Sequence, residues 1–454
     1  MAATRYAVAT NERTLAEVPR LAGHPLFGHL GAFKNDRAGM LLRYGKEHPD
    51  IIGLRMGLVR SVLLGSPALV NEMLTTNVNA FVKSPGLSIF LRPLLGNGLL
   101  TSERDFHTRQ RKLLAPAFAA KRIAGYARTF AERTDRVATT LPNDTTLDVA
   151  DLMMRLTFEI VGKTLFDAEV VSDASDVGAA LTTAMEVSMG QLSSLIPLPP
   201  AVPTPKNLAY RRAVARLDDI VYRIIRERRK HSDDRGDVLS MLLDAKDEDG
   251  GSMSDEQIRD EAMTLFLAGH ETTANALAWT FLLLAKNPDV RTRLEAEVDA
   301  LDASPAYEDL KKLPYTLAVF KEAMRLYPPA YLLGRRVVKD VELGGYRLKK
   351  NTIVFVNILG IHRRADLWPD PERFDPERFV RDKEKQLPRC AYMPFGGGPR
   401  ICIGNHFALM EGHLVLAALA RQVRFERVNN DPVEPEPLVT LRPKGGLRMH
   451  VVRR

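Results

Sequence analysis

The sequence predicts a mainly α fold with a small β-rich region, carried by one large α+β domain over residues 1–454. Three observations lead there. Residues 67–326 are dominated by alanine, leucine and arginine stretches with helical spacing, such as 211–230, and hold few strand signals. Short apolar runs bounded by glycine occur near residues 50–71 and return after Pro328. No shift of composition marks a boundary, and no internal repeat or low-complexity segment interrupts the chain.

In chain order, residues 1–20 lack the unbroken apolar run of a secretion signal and are expected to be a flexible segment in water. Ile51, Ile52, Leu54 and Met56, then residues 59–64, are apolar runs separated by Gly53, Gly57 and Gly65, which predicts a small sheet. Within the helical stretch, IPLPPAVPTP at 196–205 has five prolines in ten positions and cannot be a helix. Its apolar flanks favour a lid over a linker, which would be more polar. Ser254 with Gln257 three residues on is a capping box, and helical sequence then runs to Lys286, where Asn287-Pro288 stops it. That is a helix of about 48 Å, long enough to cross a domain. Strands are expected at 337–341, 346–348 and 352–357, an irregular proline-rich stretch at 368–378, and a last helix after Gly404.

Apolar residues at 45% and charged residues at 26% exclude a disordered chain and a membrane bundle. The net charge of +8 is spread along the chain, which argues against nucleic acid and leaves an acidic protein partner open. Cys390 and Cys402 are too few for a disulfide framework and fit a reducing cytoplasm. The longest apolar tract, residues 263–285, contains His270, Glu271 and Asn275, so it reads as a buried core helix and not a membrane span.

Cys402 stands directly after a glycine-rich loop and directly before a helix, where backbone N–H groups favour a thiolate. Gly396, Gly397 and Gly398 before it, and Gly404 after it, let the backbone pass close to a flat partner. Two plainer readings compete. One is a small buried hydrophobe; the other is a zinc site of Cys390, Cys402, His406 and His413. Against zinc stand the eleven residues between the cysteines, where structural sites have two to four.

Three further strings carry chemistry. In AGHETT, Ala268 and Gly269 leave room beside the long helix, while Glu271, Thr272 and Thr273 place an acid and two hydroxyls in apolar sequence, which is costly without a purpose. The plainer reading is a threonine bonded back to its own helix. In KEAMRL, Glu322 and Arg325 share a helical face, a pair worth almost nothing on a surface. In FHTRQRKLLAPAF, His107 and Arg111 also share a face.

FGGGPRICIG at 395–404 matches the haem-binding signature F-x-x-G-x-R-x-C-x-G of the cytochromes P450 at every fixed position. AGHETT, KEAMRL and FDPERF lie in the expected order, so the chain resembles that family from about Leu21 onward. The resemblance implies heme b with Cys402 as its axial thiolate and metal ligand. It implies Phe395 and Gly404 beside the sulfur, and Arg400 facing a haem propionate. His107, as a hydrogen-bond donor, Arg111 and either Arg335 or its neighbour Arg336 are the further propionate partners it implies. Glu271 and Thr272 would relay protons in oxygen activation, while His270 is structural. Glu322, Arg325 and Arg378 would form a structural network that locks the cysteine loop.

By the same resemblance, substrate meets Leu99 and Leu100, the proline-rich lid, Leu265 and Ala268, the turn Ala330-Tyr331-Leu332, and Val439. All are apolar or aromatic, which implies a lipophilic molecule: a terpenoid, a polyketide-like molecule or a fatty acid. No positive residue is presented to a carboxylate, which tilts the choice to the neutral two. With no G-x-G-x-x-G and no length for a flavin domain, electrons must come from a separate ferredoxin and its NAD(P)H-dependent reductase. Lys112, Lys121 and Arg122 would steer such an acidic partner. The expected activity is insertion of one atom of O2, by a monomer. A peroxide-using or isomerising relative, or a haem sensor, would have no need of Glu271 and Thr272.

Overall fold

The computed structural model describes residues 16–167, 174–192, 198, 200–230, 237–246 and 250–454. Its centre is the helix Asp255–Lys286, which reaches the 32 residues its sequence signals imply. Ser254 caps it by accepting the Gln257 N–H at 3.2 Å. The capping box is only half formed, because the Gln257 side chain turns forward to Glu261 at 3.1 Å instead of back to Ser254. From Ile258 to Leu284 this helix is buried at every position except 268, 269 and 272. Helices Val149–Phe166, Pro314–Leu326 and Asn405–Gln422 pack around it, so the main apolar core lies along its length.

Ile51–Met56 and Val59–Leu64 form an antiparallel hairpin that turns at Gly57, whose φ of +62° suits glycine. Ile353–Val356 joins it in parallel, followed by Leu333–Val337 and the edge strand Phe81–Lys83, both antiparallel. The strand expected at 337–341 is instead Leu333–Val337 followed by the separate Val341–Leu343. Phe81–Lys83 and Thr145–Asp148 lie inside the stretch read as helical. Runs of three or four residues give too little periodicity to notice, and their partners come from far along the chain: Thr145–Asp148 pairs with Arg448–Arg453.

At the N-terminus, residues 1–15 lie outside the described residues. The rest of the expected flexible segment is tied down by bridges from Ala16 to Tyr346 and from Arg20 to Gly53. Of the expected lid, residues 196, 197 and 199 lie outside the described residues. Residues 200–204 are turn and coil, and Pro205–Arg229 is helical. Among the described residues, no helix is long and apolar enough to cross a membrane.

Candidate active site

The cysteine loop is closed by one hydrogen bond, from the Cys402 N–H to the Phe395 carbonyl at 2.9 Å. Gly398 makes the turn possible. Its φ is +66°, and a Cβ there would fall 2.2 Å from the Leu74 carbonyl oxygen. Gly404 caps Asn405–Gln422, and its N–H is directed at the Cys402 thiol. Burial nevertheless pushes that thiol above its ordinary value, against the opposing pull of the Gly404 N–H and the Arg111 charge. A metal cation at the sulfur would favour the deprotonated form, because a metal-ligating thiol binds as its thiolate. Cys402 is enclosed by protein and yet accessible, so it borders a hollow inside the fold. Of the other residues weighed for zinc, His413 sits with Nε2 at 2.8 Å from the Leu313 carbonyl, occupied by that contact.

On the long helix, which packs against the cysteine helix, Ala268 is exposed and Gly269 and Thr272 partly so, although the turns on both sides are buried. Ala268 and Thr272 are four residues apart and share a face. The Thr272 hydroxyl donates to the Ala268 carbonyl at 2.9 Å. The Glu271 carboxylate accepts from the Thr440 hydroxyl at 2.6 Å, and Thr440 accepts from Asn275 Nδ2 at 3.0 Å. All three are buried. His270 serves packing, with Nδ1 2.6 Å from the Phe266 carbonyl and its ring edge-on to Phe158.

A second group of residues is electrostatically incomplete. The sheet register sets Lys83 directly opposite Arg335, and both are buried. Arg400, His107 and Arg111 close in around them: burial and then the Arg400 charge pull Lys83 down to about 7, and the same two causes lead in bringing His107 down to about 3. Burial and Arg400 likewise bring Arg335 down to about 10. Glu103 holds Arg400 by an ion pair and the Lys83 N–H by a hydrogen bond at 2.6 Å. Like charges side by side on neighbouring strands are destabilising, so the arrangement calls for further anions. Arg336 points the other way, donating to Asn351 at 3.2 Å. Strand alternation thus sets Arg335, and not Arg336, in this cluster of charges.

Glu322 and Arg325 are both fully buried and joined by two parallel hydrogen bonds of 2.7 and 2.8 Å. Arg325 also donates to the carbonyls of His362, Pro371 and Arg373, and Glu322 accepts the Asp375 N–H. Arg378 approaches Glu322 at 3.5 Å and donates to the Pro369 and Asp370 carbonyls. The network reaches the cysteine loop through His362, whose Nε2 accepts the Met393 N–H at 3.0 Å.

The residues expected around substrate separate into two groups. Leu100 and Val439 are partly exposed and border the main core, to which Leu265 belongs. Ala330 is exposed between buried neighbours. Tyr331 instead turns into a different cluster together with Leu332, and its hydroxyl lies between Arg37 at 2.9 Å and the Leu438 carbonyl at 2.7 Å. That position makes Tyr331 a support for the strand leading to Val439 and Thr440.

Comparison with known proteins agrees with this geometry: a family model described as Cytochrome P450 matches residues 18–449. The chain belongs to the cytochrome P450 family. It is 38% identical to cyclooctatin synthase of Streptomyces melanosporofaciens, with 94% of each chain covered. It is 33% identical to pentalenene oxygenase of Streptomyces avermitilis, over 90% of this chain and 91% of that one. The crystal structure of the cytochrome P450DA heme domain superposes with a TM-score of 0.89 at 29% identity, covering 97% of this chain and 99% of that chain. This P450 is therefore an oxidoreductase of the monooxygenase type, and its donor set fits haem. The exposed Cys402 at the border of a hollow suits iron, and the crowded cations around Arg335 suit two propionates.

Lys83, Glu103, His362 and Thr440 escaped the sequence reading, and Asn275 was noticed there only as a polar residue in an apolar tract. Of the four, only Lys83 left a signal: two residues after the apolar Phe81 in a strand, it falls on the buried face.

Proposed function

We propose that this P450 holds heme b through Cys402 and inserts one atom of O2 into a neutral terpenoid, with electrons from a ferredoxin and its NAD(P)H-dependent reductase. The observation that carries the reading is the window of accessible surface at Ala268, Gly269 and Thr272 within the buried stretch 258–284 of the long helix, on a fold whose more exposed cysteine is Cys402. Bound there, haem supplies reductive activation of O2, and a thiolate ligand favours O–O cleavage. Arg335, Arg400 and Arg111 would neutralise its propionates, and the neutral His107 would donate a hydrogen bond to one of them. The Thr272 hydroxyl holds a proton at the window, and Glu271, kept in place by Thr440, replenishes it. Two protons and two electrons are consumed for each oxygen atom inserted, the second oxygen leaving as water. Leu100, Leu265, Ala268, Ala330 and Val439 shape an apolar enclosure. Support for a terpenoid comes from the relatives named cyclooctatin synthase and pentalenene oxygenase, and from the apolar character of these five side chains. The same reading takes residues 1–454 as one domain acting as a monomer in the cytoplasm.

The test is turnover of a panel of cyclic terpene hydrocarbons under labelled O2 with a bacterial ferredoxin and reductase. One labelled oxygen per product is expected, and Thr272→Ala is expected to divert NADPH into peroxide. Unlabelled product, or full coupling in Thr272→Ala, overturns the reading.

A further inference from the structure

The loop that carries Leu100 is gripped by two buried ionisable side chains, Lys83 of the charge cluster and Glu261 of the long helix, which lies outside every signature string. The fully buried Glu261 accepts the Leu99 N–H at 2.9 Å through one carboxylate oxygen and the Gln257 side chain at 3.1 Å through the other. Lys83 Nζ donates to the Leu99 carbonyl at 2.9 Å and to the Ser102 carbonyl at 2.8 Å. Both backbone polar groups of Leu99 thus end on ionisable side chains, one from the long helix and one from the edge strand. Asp260 accepts the Asn97 N–H at 2.7 Å on the same helix face. The fit is close: a Cβ on Gly96 would fall 1.9 Å from the Asp260 carboxylate, and one on Gly98 would fall 2.2 Å from the Thr264 hydroxyl. Thr101 closes the loop by donating to the Gly96 carbonyl at 2.8 Å. Burying a carboxylate costs several kcal/mol before its partners repay it, so a plain loop anchor would be cheaper in apolar side chains.

We propose that Glu261 is a positioning residue for substrate selection: with Lys83 it fixes the Leu99 peptide on the long helix, and thereby fixes how far Leu100 projects into the apolar enclosure. The inference rests on the proposed reading that Leu100 meets substrate. Side-chain hydrogen bonds on both polar ends of one peptide hold that backbone in a single place, where apolar packing alone would let it slide. Leu100, one residue on, inherits that fixity, and so does the shape it presents to a ligand.

The test uses the full haem-loaded chain, with imidazole as a small probe and 4-phenylimidazole as a bulky one, both read by the shift of the haem absorption band. In Glu261→Ala, Leu99 amide hydrogen exchange is expected to accelerate at least tenfold while the amides of residues 274–284 keep their protection. The ratio of the two dissociation constants is expected to move at least fivefold. Glu261→Gln retains an acceptor for Leu99, and the Gln257 amide can rotate to match it, so this variant is expected to restore both readouts. Gly98→Ala lifts the loop from Thr264 without touching Glu261 and is expected to shift the ratio in the same way. Unchanged exchange at Leu99, or faster exchange with an unchanged ratio, overturns the inference. Wild-type protein that takes up no haem overturns the proposed function instead.

Discussion

Glu271 and Thr440 are joined by a 2.6 Å hydrogen bond although 169 positions separate them in the chain. Thr440 is oriented in turn by Asn275, one helical turn beyond Glu271. The acid next to Thr272 is therefore aimed by the C-terminal part of the chain, and the neighbouring Val439 belongs to the same stretch.

Thr440→Val removes the donor while keeping the shape, leaving the Glu271 carboxylate free to change rotamer. Product formed per NADPH is expected to fall about tenfold, within the range that positioned proton transfer contributes. Binding of a lipophilic ligand, read by the haem spectrum, should stay within twofold. Equal coupling in mutant and wild type would show that Glu271 needs no positioning.

Arg335→Leu and Arg336→Leu separate the two neighbours that sequence could not. Loss of a charge-assisted hydrogen bond costs about 1.5–3 kcal/mol, so Arg335→Leu should speed haem transfer to a scavenging apoglobin by tenfold or more. Arg336→Leu, on the Asn351 side of the strand, should leave that rate unchanged.

Arg325→Ala strands the carboxylate of Glu322, which is 0% exposed. Breaking a buried pair in this way costs about 3–5 kcal/mol, to be seen as a drop in the urea midpoint and in haem content. Arg325→Lys should rescue little, because an ammonium cannot reproduce the paired bonds to Glu322 together with those to three carbonyls.

His362 governs stability toward acid. Burial first and the Arg325 charge second bring it from 6.5 down to about 3. A lowered value means that the unfolded chain binds the proton first, so this contribution is complete above about 6.5 and is lost as pH falls toward 3. The slope is about 1.4 kcal/mol per pH unit for one such group. Buried His413, brought down to about 4, adds a second slope in the upper part of that window. Urea unfolding between pH 7 and 4.5 should therefore flatten by about one proton in His362→Gln. A parallel pH profile would count against this assignment.

Lys112 and Lys121 are exposed, and Arg122 is partly so. Changing the three to glutamate should slow reduction by an acidic ferredoxin by tenfold or more at low salt, with the difference narrowing as salt rises. Lipophilic ligand binding should not change.

Much of the site was legible because its chemistry is local. The cysteine loop, with the left-handed turns at Gly396 and Gly398, is written in ten consecutive residues, and the AGHETT helix carries its own cap and stop. Helix length and the contiguous signatures follow from spacing alone, since 3.6-residue periodicity and glycine conformations are properties of a few neighbours. What tertiary structure decided is which distant groups complete them. Thr440 aims Glu271, His362 ties the buried Glu322–Arg325 pair to the cysteine loop, and strand register sets Lys83 beside Arg335 and leaves Arg336 outside. Tyr331 was read as a pocket residue, and its hydroxyl is held by the Leu438 carbonyl and Arg37, contacts that nothing in a run of apolar residues announces. Burial, which decides both the cost of a charge and the need for its partner, exists only once the chain has closed around it.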